Sequence, residues 1–208
     1  MRSIITLFIA AMAFAPNAQA QDNNPPPGHM TSGIVGVLTR SDGFQQTTLV
    51  TDRGALGFAV PGDWKAIQLD FKLPVATAVY EVPDPSTLDG ASSTNCSMAF
   101  ADPNTPEGQA VIGRATAFGG DDSQHNGWIV HSRTEPATTT APATVERVAI
   151  KAQDFVTAVA MCAWSQTKSH DAAYDAYMAK IVNTLLDQVS APPAPFKARP
   201  GETFFSPQ

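Results

Sequence analysis

Positive charge is scarce in this sequence. Its 208 residues hold 13 Lys and Arg against 19 Asp and Glu, a formal net charge of −6. No basic cluster occurs anywhere along the chain, and phosphate binding needs a positive surface. Nucleic acid and anionic membranes are therefore not expected as partners. Catalytic signatures are missing too: there is no G-x-S-x-G, H-E-x-x-H, C-x-x-C, G-x-x-x-x-G-K or G-x-G-x-x-G. No uncharged apolar run approaches the roughly 20 residues of a membrane-spanning helix. Cysteine is limited to Cys96 and Cys162.

What is present begins with an address. Arg2, the apolar run Ile4–Ala15 and the small-residue site Ala18-Gln19-Ala20 predict a secretory signal peptide over residues 1–20, cleaved after Ala20. Loss of Arg2 makes the remaining chain more acidic by one charge, which serves solubility. A periplasmic or secreted location is expected, with no stable membrane insertion after cleavage. In that oxidising setting Cys96 and Cys162 are expected to form a disulfide. They lie 66 positions apart, and closing such a loop is worth about 4 kcal/mol in the chain-entropy picture.

The rest divides into a Pro-rich linker over 21–32, one domain over 33–188 and a Pro-rich tail over 189–208. A domain of this size buries a sizeable core. Phe155–Trp164, FVTAVAMCAW, is apolar at nearly every position and reads as a central strand covered on both faces. Val145–Ile150 precedes it as a pairing strand. Gly33–Val50 reads as a hairpin turning at Ser41-Asp42-Gly43. Phe58 and Val60 alternate with small residues until Pro61 ends the strand, and Trp64 folds back after the Pro-Gly-Asp turn. Ile67, Leu69 and Phe71 alternate with Gln68, Asp70 and Lys72, which predicts an inward apolar row. Val75–Val82 and Cys96–Ala101 continue the sheet.

Two helices are expected. Thr105-Pro106 opens the shorter one, with Val111, Ile112, Ala115 and Phe118 on one face and Gly119-Gly120 at its end. Tyr174, Tyr177, Met178, Ile181, Val182, Leu185 and Leu186 recur at helical spacing over Asp171–Asp187, with Ser169 or Asp171 as cap. That predicts a long C-terminal amphipathic helix docked on the sheet, since such a helix is marginal alone in water. The fold class is α+β: an antiparallel sheet carrying that helix and a second, shorter one.

A strand entering the turn Val60-Pro61-Gly62-Asp63-Trp64, and a late strand pair (Val145–Trp164) running into a terminal amphipathic helix, together resemble the PsbP-like superfamily. That group includes the extrinsic P subunit of photosystem II and DcrB-like bacterial envelope proteins. The resemblance covers about Gly57–Asp187 and implies an antiparallel sheet between helices, used as a small binding or assembly module without a catalytic site. The N-terminal hairpin, the two cysteines and the Thr/Ala/Pro loop (Thr134–Thr144) depart from it, and it transfers no functional residue.

Gly119–Gly127, GGDDSQHNG, is the richest polar stretch, read as a solvated helix-to-strand loop. Asp121, Asp122, His125 and, further along the strand, His131 are the one set of side chains that could hold a metal ion. Ser165-Gln166-Thr167-Lys168 fits S-x-x-K, but its Ser follows a strand and the partner signatures are missing. Cys162 sits in apolar surroundings that argue against a reactive thiol. Trp64, Trp128 and Trp164 read as core. The sequence thus points to an exported, non-enzymatic binding or assembly module without cofactor, whose partner is an unidentified envelope protein or small ligand. The alternative is a small metal-dependent hydrolase centred on Asp121–His131.

Overall fold

The computed structural model describes residues 32–39 (by their backbone), 42–83, 94–166 and 172–190. The expected signal peptide, nearly all of the linker and tail, the turn residue Ser41 and the cap candidates Ser169 and Asp171 lie outside the described residues. Ten strands and two helices follow: β1 (Ser32–Thr39), β2 (Phe44–Thr51), β3 (Gly54–Pro61), β4 (Lys65–Asp70), β5 (Val75–Val82), β6 (Thr94–Ala101), α1 (Pro106–Thr116), β7 (Asp121–His125), β8 (Trp128–Glu135), β9 (Thr144–Gln153), β10 (Val156–Ser165) and α2 (Ala172–Asp187). The class is α+β, dominated by antiparallel sheet.

The apolar ribbon sits where its composition demands. In the seven-stranded sheet, ordered β4-β5-β6-β10-β9-β8-β7, strand β10 is the middle strand. It is laddered to β6 from Thr157↔Ala101 to Ala163↔Asn95 and to β9 from Val156↔Gln153 to Ser165↔Thr144. Alternate side chains of a strand point to opposite faces. Val156, Ala158, Ala160, Cys162 and Trp164 enter one core with Met98, Phe100 and the buried face of α2. Val159 enters a second, smaller core with Ala99, Ala101, Val148 and the α1 residues Val111 and Ala115. A strand serving two cores cannot afford the polar alternation of a half-solvated one, which explains its sequence.

The larger core has two lids. Helix α2 runs for 16 residues and buries Tyr174, Met178, Val182, Leu185 and Leu186. It is of ordinary length rather than long, and Tyr177, expected on the same face, is 38% exposed. The second lid is the three-stranded sheet β1-β2-β3. It delivers Leu49, Leu56, Phe58 and Val60, with the Phe58 ring 5.2 Å from that of Phe100. A bridge between Gly57 and Ser190 ties this sheet to the chain just past α2. Pro61 ends β3 as expected, and the Trp64 N–H donates to the Pro61 carbonyl at 3.1 Å, folding the indole inward beside Tyr80. Cys96 and Cys162 face each other across β6 and β10 and are joined as a disulfide.

Two further expectations fail. Strand β4 is exposed along its whole length. Ile67 and Leu69, expected inward, are 53% and 43% exposed, and only Phe71 beyond the strand is buried. The cause is position: β4 is the terminal strand, and a bulge between Ala66 and Gln68 breaks its alternation. The stretch read as a helix-to-strand loop contains β7, which pairs with β8 from Asp121↔Ser132 to His125↔Trp128.

Helix α1 begins on a tight support. Thr105 Oγ1 accepts from the Gly108 N–H at 3.1 Å and donates to the Asp102 carbonyl at 3.0 Å. Gly108 is buried there, and a Cβ on it would run into the Asp102 carbonyl, backbone that has no room to yield. Gly108→Ala should therefore destabilise the protein by about 1–3 kcal/mol, as overpacking does, although alanine is the better helix former. Chemical denaturation of parent and variant measures this directly.

Candidate functional site

The polar residues singled out in the sequence converge on the β7–β8 end of the sheet, but not on one point. Directly paired residues of antiparallel strands share a face. Asp122 is paired with His131, whereas Asp121 is paired with Ser132 and His125 with Trp128. Asp122 and His131 therefore lie on the α1 face, and Asp121 and His125 on the α2 face. The expected four-residue cluster is split by the sheet itself. Among the described residues no group of three or more His, Cys, Asp or Glu is placed to hold a metal ion.

Each half is used locally. His131 is buried, and its Nδ1 is 2.6 Å from the exposed carboxylate of Asp122. That bond satisfies a ring that its apolar, directly paired neighbour Val148 would otherwise leave stranded. On the other face, the His125 Nε2–H donates to Asp187 Oδ1 at 2.8 Å. Asn126 Nδ2 donates to the same oxygen at 2.6 Å, and Lys151 Nζ donates to the Asn126 carbonyl at 2.9 Å. The tip of the hairpin is thereby clamped to the C-terminus of α2 and to β9. Asn126 and Gly127 form the two-residue connection, both with positive φ (47° and 82°), as a type I′ turn requires.

Two further polar clusters were not anticipated from the sequence. Glu146 on β9 is 1% exposed, and its Oε2 accepts from Arg133 Nε at 2.8 Å. The Arg133 guanidinium lies 4.0 Å from the centre of the Phe118 ring. Register hints at this pair, because Arg133 and Glu146 are directly opposite, but register is not visible in a single sequence. At the other end, Asp175 in the first turn of α2 accepts from Trp164 Nε1 at 2.7 Å and from Gln166 Nε2 at 2.9 Å. Burial pushes the Arg147 guanidinium down from its ordinary range, and the Asp175 charge partly opposes this. Burial likewise pushes the Tyr80 phenol up, against a hydrogen bond with Thr47.

None of these groups is arranged as nucleophile, base and orienting partner around a common cavity. They hold secondary elements together. Trp64, Trp128 and Trp164 are buried, in the core role expected of them. Ser165 of the S-x-x-K match ends β10, and its Thr167 and Lys168 lie outside the described residues.

Among the described residues the large apolar side chains left exposed are Ile129 on β8, Tyr177 on α2 and, at the opposite end of the sheet, Ile67 and Leu69 on β4. Strand β4 pairs only with β5 among the described residues, so its other backbone edge faces outward. The opposite terminal strand, β7, is Asp121–His125 and wholly polar. The β7 edge carries polar side chains alone, whereas β4 presents Ile67 and Leu69 between Lys65 and Asp70.

The Arg133–Glu146 pair gives a sharp test of the structural reading. Arg133→Met keeps the packing on Phe118 but strands a buried carboxylate, and should cost about 2–4 kcal/mol. Adding Glu146→Gln should recover much of that loss. A single variant as stable as the parent in urea would remove the pair from the account.

Comparison with family models, with curated proteins and with solved structures finds no match to this chain.

Proposed function

We propose that this chain is an exported, non-enzymatic assembly module that accepts an extended segment of an envelope protein along the outer edge of β4. The observation that carries the reading is the exposure of Ile67 and Leu69 on a terminal strand, with Lys65 and Asp70 at its ends. Strand addition uses the free backbone edge for affinity and side-chain contacts for selection. The bulge between Ala66 and Gln68 limits the guest to a short strand and prevents open-ended sheet growth. The apparent signal peptide supplies the envelope context, and the PsbP-like resemblance points toward assembly rather than turnover. The scattered, structurally engaged histidines and carboxylates favour this over the hydrolase alternative.

The test pairs the mature chain with an Ile67→Lys/Leu69→Lys variant. Both sites are exposed, so stability should change by no more than about 0.5 kcal/mol. Each protein is immobilised and offered solubilised bacterial envelope proteins, and hydrogen exchange is followed on the complex. The expected result is a protein retained by the parent and not by the variant, with amides of Lys65–Asp70 protected in the complex. Equal retention by both, no retention by either, or unchanged exchange in β4 would overturn the reading. Turnover of an ester or phosphoester abolished by Asp122→Asn would do so as well.

A further inference from the structure

The clamp at the β7–β8 tip contains a reactive dipeptide. Asn126-Gly127 is the only Asn-Gly in the sequence. Both residues are exposed at the tip of the hairpin. In a two-residue turn the ladder closes between the flanking residues, here His125 and Trp128, which leaves the Gly127 N–H outside it. The contacts around this peptide suit one particular chemistry.

We propose that Asn126 is a site of spontaneous deamidation, and that the change releases the hairpin tip from α2. The Gly127 backbone nitrogen loses its proton to solvent base and attacks the Asn126 side-chain carbonyl carbon. A new N–C bond forms, the C–Nδ2 bond breaks, and nitrogen leaves as ammonia after gaining a proton. Water then opens the cyclic imide at either carbonyl, giving aspartate or isoaspartate. Neither oxidant nor reductant is needed. Gly127 offers no side chain to hinder the attack.

One neighbour favours the step. Lys151 Nζ donates to the Asn126 carbonyl at 2.9 Å. That oxygen belongs to the same peptide unit as the Gly127 nitrogen, so the ammonium stabilises the negative charge that develops when the N–H ionises.

The product cannot keep the clamp. Asn126 Nδ2 now donates to Asp187 Oδ1. Deamidation puts a carboxylate in its place, facing another carboxylate that already closes the negative end of a helix dipole. Like charges at this distance repel, and the His125 Nε2–H can donate to only one of them.

The experiment holds the purified mature chain at mildly alkaline pH and physiological temperature, and follows each asparagine by peptide mass spectrometry with isoaspartate-specific methyl transfer. The expected result is conversion at Asn126 well ahead of every other asparagine, slowed several-fold in Lys151→Met. If Asn126 stays an amide while the denatured chain converts in the same buffer, the site is overturned. An unchanged rate in Lys151→Met would overturn the part assigned to that ammonium. Release is read separately in Asn126→Asp, which should speed hydrogen exchange in Asp121–Trp128 and in the last turn of α2. Exchange matching the parent would overturn release. None of these readouts involves β4, so they stand apart from the strand-addition reading.

Discussion

One strand has to satisfy two cores at once, and the rest of the molecule is arranged around that demand. β10 is hydrogen-bonded along nearly its whole length on both sides, and its two rows of side chains enter separate apolar clusters. A central strand of this kind can be stable only if both faces are roofed. That requirement brings α1 to one face, and α2 with the three-stranded sheet to the other. The disulfide fixes the same strand to β6, so the covalent link reinforces a contact that packing already makes. The polar clusters then serve as ties between roof and sheet: Asp175 anchors the start of α2 to Trp164, and Asp187 anchors its end to the β7–β8 tip.

This arrangement explains which parts were legible in the sequence. Phe155–Trp164 could be read because a doubly covered strand has a composition of its own. Helix α1 could be read because Thr105, Pro106 and Glu107 act within one turn. Phe71 is inward as expected, whereas Ile67 and Leu69 depart from the expected row because alternation reports only that a strand has two different faces. It does not report whether anything lies against them, which depends on neighbours distant in sequence. β7 was missed because Asp-Asp-Ser-Gln-His has no apolar period at all. The signal that would have found it was Asn126-Gly127, whose preference for a type I′ turn implies strands on either side. The Glu146–Arg133 pair was invisible for a different reason, since it rests on the register of two strands.

The candidate metal site shows how proximity in sequence misleads. Asp121, Asp122, His125 and His131 fall within one short hairpin, yet strand geometry sends neighbours to opposite sides of the sheet. What remains is an asymmetry of edges. The β7 edge is polar and its tip is clamped, whereas β4 is bulged, exposes Ile67 and Leu69, and is open on its outer side among the described residues. The strand addition proposed above rests on this asymmetry.

The central claim is that β10 is the most deeply held element, and native-state hydrogen exchange measures this most directly. The account predicts that amides of Val156–Ser165 exchange last, at the rate of global unfolding, while those of Lys65–Asp70 exchange early through local opening. Exchange of Val156–Ser165 as fast as that of β4 would contradict it, because a strand locked between two cores has no local route to water.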